Sequence, residues 1–176
     1  MMRFFLPFIG LILFFLEPVF GLLSPLQFGG EAYTIVPRFL LMYLIFVAIY
    51  YDRKHAMYYG LFFGLLYDVF FIDIIGLYSF LYPAIALVAG SVVRSIHKNL
   101  AVATGLALIL TALFEFVLYQ FFLLISLTSL PVDFFLVHRL MPTIIANSIF
   151  LIMLGWTFKL AINARLLERD RRLGTS

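Results

Sequence analysis

Apolar runs of close to twenty residues, almost free of charge, recur along this chain and narrow what it can become. A helix needs roughly 20 apolar residues to cross the hydrocarbon core of a bilayer. Six candidate runs cover about Phe4–Leu23, Ile35–Tyr51, Ala56–Ile72, Ile74–Val93, Leu100–Ser126 and Leu140–Leu160. The expectation is an all-α, polytopic integral membrane protein of six transmembrane helices, one membrane domain over residues 1–176 with a basic tail over 161–176. Composition agrees: 12% of the 176 residues are charged, where a soluble domain carries about 25%. So few polar side chains cannot build a water-exposed surface, which excludes soluble enzymes and free nucleic-acid binders. The pI near 9.3 is no nucleic-acid signal, because where the charges sit matters more than their sum.

Those charges predict orientation. With six spans, Arg3, Arg53, Lys54, Arg94, Lys98, Lys159, Arg165, Arg169, Arg171 and Arg172 share one side, and Arg38 and Arg139 the other. Ten basic residues against two place both termini in the cytoplasm. The first span lacks a small-x-small cleavage site and reads as an uncleaved helix rather than a signal peptide. The longest outer loops, Ser24 to Thr34 and Leu127 to His138, are too short for a separate domain. Spans three and four nearly touch, which demands a tight turn at Asp73. The tail places Leu160, Ala164 and Leu167 at helical spacing among basic residues, the pattern of a helix lying on an anionic membrane surface.

Charge at membrane depth is costly and needs a partner or a cavity. Glu17, Arg38, Asp68 and Arg139 fall at similar depth near the outer ends of their spans, and Glu115 lies deeper in span five. These five are the candidate intramembrane polar network, with Glu17 and Asp68 expected to pair with Arg38 or Arg139. Span three carries Ala56, Gly60, Gly64 and Asp68 at four-residue spacing, a stripe of small residues ending in a carboxylate. Small residues let helices approach closely, so the stripe suits either packing within the bundle or a partner helix. The chain has no cysteine. His55, His97 and His138 share no ligand spacing. Neither a metal, a cofactor nor a catalytic constellation is indicated.

Val36-Pro37-Arg38-Phe39-Leu40-Leu41, the run from Lys54-His55-Ala56-Met57 through Gly60 and Gly64 to Asp68, and Gly76-Leu77-Tyr78 together resemble the rod-shape-determining MreD family of Gram-positive type. The resemblance implies a multi-pass protein of the bacterial plasma membrane and a fold similar to the substrate-binding membrane subunits of vitamin importers. It implies a non-enzymatic scaffold of the cell-elongation complex that binds MreC and acts with MreB and the wall-synthesising enzymes, with membrane lipids and no nucleic acid as further partners. From the residues themselves the competing reading is a small-molecule binding or transport subunit, with a polar pocket around Glu115, Asn147 or Asp68. Under the scaffold reading, Ala56, Gly60, Gly64 and Asp68 or their neighbouring surface contribute the partner-helix face.

Overall fold

The computed structural model describes residues 5–93 and 99–173, with side chains as far as residue 167. Arg3, Arg94, His97 and Lys98, and the side chains of Arg169, Arg171 and Arg172, lie outside the described residues. Helix α1 (Phe5–Gly21) leads into a hairpin of β1 (Leu26–Phe28) and β2 (Glu31–Tyr33). Helix α2 is Phe39–Tyr50, and α3 (Arg53–Tyr67) continues as a π-helical segment, Asp68–Ile72. Helix α4 is Leu77–Val92 and α5 is Leu100–Leu124. A short α6 (Val132–Phe135), a π segment (Leu136–Leu140) and α7 (Met141–Leu173) then run on without a break.

Every residue of α2 is buried. The sequence explains this, because Phe39 to Tyr50 is apolar on all sides, and a helix with no polar face belongs inside a bundle. Helices α1, α3, α4, α5 and α7 all contact it. The surrounding helices leave Phe8, Phe15, Phe80, Ile109, Ile152 and Trp156 exposed, as lipid-facing surfaces do. Three helical stretches are long and apolar enough to cross a membrane: Arg53–Ile72, Leu100–Leu124 and Val132–Leu167. Phe5–Gly21, Phe39–Tyr50 and Leu77–Val92 are shorter apolar helices.

Several sequence-based boundaries shift. The apolar run predicts a helix from Ile35, but residues 35–38 lie outside it and α2 begins only at Phe39. Pro37 accounts for the change, since proline disfavours helical geometry at the residue before it. The hairpin lies in what reads as a plain loop; Gly29 and Gly30, with φ of 61° and 87°, form its two-residue turn. The last helix begins at Val132 rather than Leu140, just after Pro131 and with Asp133 in its first turn. It also continues past Leu160 through the start of the tail, where Ile162 is fully buried and no proline or glycine interrupts it before Gly174.

Candidate functional site

Proline at position 142 removes the N–H that would bond the carbonyl four residues back. That carbonyl belongs to His138, in the π segment, and it accepts the Thr34 N–H at 2.7 Å. The freed group thus anchors the end of the hairpin to the last helix. Above it, the His138 ring stacks on Phe134 (centroids 4.1 Å apart) and on Tyr33 (5.1 Å). Its Nε2 lies 3.1 Å from Glu31 Oε2, and the Tyr33 hydroxyl donates to the same Glu31 oxygen.

The extended lead-in to α2 has no strand neighbour, so side chains satisfy its backbone. Ile35 N–H donates to Ser24 Oγ at 2.9 Å and Val36 N–H to Thr143 Oγ1 at 3.1 Å. Asn147 bridges both sides of Pro37: its Nδ2 donates to the Val36 carbonyl at 3.0 Å, and its Oδ1 accepts the Arg38 N–H at 2.9 Å. One side-chain amide here does the work of a peptide group in a neighbouring strand. Glu17 Oε1 accepts the Leu40 N–H at 2.7 Å, capping a helix start that its own N-cap residue, Arg38, leaves uncapped. Irregular backbone is tolerated at membrane depth only when satisfied in this way.

Arg38 enters the interior from this lead-in. Its Nε donates to Glu115 Oε1 at 2.5 Å, its Nη1 to the Tyr78 hydroxyl at 3.1 Å, and its guanidinium lies 4.9 Å from the Phe114 ring centre. Arg139 Nη2 approaches the other Glu115 oxygen at 3.4 Å. Glu115, fully buried, therefore serves two arginines drawn from separate elements. Arg139 keeps its Nε without a protein partner, and so does Glu17 with Oε2.

The expected network is thus assembled around a different acid. Arg38, Glu115 and Arg139 come together, while Glu17 and Asp68 make backbone contacts in place of the expected pairing with either arginine. Asp68 is fully buried and accepts N–H groups from Tyr78 (2.7 Å), Gly76 (3.0 Å) and Ser79 (3.1 Å). A carboxylate there satisfies the otherwise unpaired donors at the start of α4 and complements its dipole. The turn between the two helices needs left-handed backbone at Asp73 (φ 58°) and Gly76 (φ 111°).

The small-residue stripe faces α4 of this same chain. A Cβ at Gly64 would stand 2.5 Å from the Tyr78 carbonyl oxygen, and one at Gly60 3.0 Å from Pro83 N. Ala56 is fully buried. Beside this contact, on the outside of the α3–α4 seam, lies a groove of about 510 Å³ lined by Met57, Tyr58, Leu61, Phe80, Pro83, Ala84 and Leu87. Sequence reading passed over two members of the site, Asn147 as backbone partner and Thr143. Their signal was present as polar residues one helical turn apart within an apolar span.

A bundle of apolar helices around a wholly buried central helix, with its interior ionisable groups bonded to one another or to backbone, defines an integral membrane protein. The chain belongs to the MreD family: residues 2–163 match the family model for rod shape-determining protein MreD. It is 32% identical over 160 residues to the rod shape-determining protein MreD of Bacillus subtilis (strain 168), covering 91% of this chain and 93% of that one. It is 26% identical over 125 residues to the cell shape-determining protein MreD of Streptococcus pneumoniae (strain ATCC BAA-255 / R6), covering 71% of this chain and 76% of the relative. No solved structure matches the chain. Membership of this family implies a role in cell shape determination.

Proposed function

We propose that this chain is a non-enzymatic scaffold of the bacterial cell-elongation complex, a six-span plasma-membrane protein that binds MreC and thereby supports lateral wall synthesis. Family membership over nearly the whole chain carries the reading. The short connections between the described helices support it, since they leave helix faces and helix ends as the main surfaces offered to partners. The basic-residue bias favours cytoplasmic termini and an external hairpin.

The partner helix lies in the α3–α4 seam. Ala56, Gly60, Gly64 and Asp68 contribute by holding the two helices at close range, and Tyr58, Leu61, Phe80 and Leu87 make the contact. Close packing is the main source of helix association in lipid, and a preformed groove of this kind supplies it. Leu61→Ala with Phe80→Ala should reduce co-purification of MreC from gently solubilised membranes while leaving the melting temperature near that of the parent. Full recovery of MreC with the folded double variant would reject the site. Gly60→Leu is a poor probe, because its side chain would collide with α4 backbone.

A further inference from the structure

A cavity of about 450 Å³ opens at the hairpin end of the bundle, between α1, the lead-in to α2 and the π segment after α3. The scaffold role makes no use of it. Two of its wall residues hold free hydrogen-bonding capacity. Glu17 is 4% exposed, and with Oε1 engaged by Leu40 its Oε2 has no protein partner. Arg139 touches Glu115 through Nη2 alone, and its Nε is unpartnered. Arg38 also lines the cavity, but its Nε and Nη1 are committed to Glu115 and Tyr78.

Arg38 is already matched by Glu115, so the groups left to a ligand are one acid, Glu17, and one base, Arg139. A ligand carrying net charge would upset that balance in a medium that screens poorly. The complement is a net-neutral molecule that donates hydrogen bonds at one end and accepts them at the other. A buried carboxylate oxygen is best satisfied by a charged N–H donor. Aromatic rings of Tyr67, Phe71 and Tyr78 line the same cavity and suit a cationic group. The volume falls within the usual range for small-ligand sites.

The geometry points to a binding site for a small zwitterion, with a protonated primary amine on Glu17 Oε2 and an anionic group on Arg139. Phosphatidylethanolamine presents this chemistry in its headgroup, and O-phosphoethanolamine presents it free in water.

The test uses the full chain, delipidated in detergent and reconstituted in nanodiscs of phosphatidylglycerol alone or mixed with phosphatidylethanolamine or phosphatidylcholine. Melting temperature and retained lipid are measured, and O-phosphoethanolamine is titrated separately. Phosphatidylethanolamine should be retained and should raise the melting temperature. Phosphatidylcholine, whose quaternary nitrogen has no N–H to donate, should do so at least about tenfold more weakly. Stabilisation by the lipid alone assigns a headgroup site, and stabilisation by O-phosphoethanolamine assigns a free zwitterion; either sustains the proposal. Glu17→Gln and Arg139→Gln should each weaken the preference about tenfold, whereas Ile109→Ala, on the exposed face of α5, should preserve it. Equal response to all three lipids with none to O-phosphoethanolamine overturns the proposal. That comparison needs only the parent protein, so it stands even if a variant fails to fold.

Discussion

At the residue scale, Glu115 is the position on which most depends. It is the shared acceptor for Arg38 and Arg139, and removing it strands a buried guanidinium in an apolar interior. Breaking a buried ion pair from one side costs about 3–5 kcal/mol. Glu115→Leu should therefore destabilise the protein by about that much, read from denaturation in detergent. Arg139→Gln should cost about 1 kcal/mol or less, because that contact is long and partly exposed. The exchange Arg38→Glu with Glu115→Arg should recover part of the loss of either single change. Asn147→Leu leaves the Arg38 N–H and the Val36 carbonyl unpaired together, an expected loss of about 2–4 kcal/mol from two orphaned buried groups. The importance of Glu115 is visible in sequence, as an acid among Leu113, Phe114, Phe116 and Val117. Its partners are not visible, because Arg38 and Arg139 lie 77 and 24 residues away and depth along a span does not specify azimuth.

At the element scale, α3 and α4 behave as a unit joined by Gly64 and Asp68. Gly64→Ala should cost about 1–3 kcal/mol or more by forcing backbones apart, and Asp68→Ala should fray the start of α4. Hydrogen exchange at Gly76, Tyr78 and Ser79 reads the second effect directly. The β1–β2 hairpin is held differently. The His138 hydrogen bond, and then the Tyr33 hydroxyl, hold the Glu31 carboxyl below its ordinary value of about 4.5. A lowered carboxylate pKa stabilises the folded arrangement above the ordinary value, and the benefit is lost as pH falls through the lowered one. A spin label on Gln27→Cys, exposed in β1, should therefore become more mobile as the pH drops below about 4.5, and Glu31→Gln should remove that transition. A pH-independent label in the parent protein would show that the clasp does not hold the hairpin. The turn residues Gly29-Gly30 carried the hairpin signal, but strands of three residues are too short to stand out beside spans of twenty.

At the scale of the whole molecule, α2 with its lead-in is the unusual feature. Its 12 residues make about 18 Å of helix, short of the roughly 30 Å hydrocarbon core. Extended backbone advances about 3.3 Å per residue, so the four residues of lead-in add about 13 Å. Under the proposed six-span arrangement this combined path is about as long as the hydrocarbon core is thick, with fewer residues than a helix alone needs. Sidedness can be measured cleanly because the natural chain has no cysteine. In intact cells an impermeant maleimide should label Gln27→Cys and spare Lys54→Cys. Labelling of Lys54→Cys instead would invert the proposed orientation.

The sequence by itself determined that the chain is helical and apolar enough for a membrane, and which charged residues must find partners. These properties follow from local chemistry: transfer free energies, backbone restrictions and spacing along a helix. Which partners those residues find was decided only by tertiary structure. Glu115 takes both arginines, Glu17 and Asp68 cap helix starts, Asn147 completes an extended segment, and the glycine stripe is covered by α4. Each of these depends on how the helices are rotated about their axes. In a chain apolar on nearly every face, hydrophobic periodicity does not encode that rotation; close packing and the pairing of buried polar groups do.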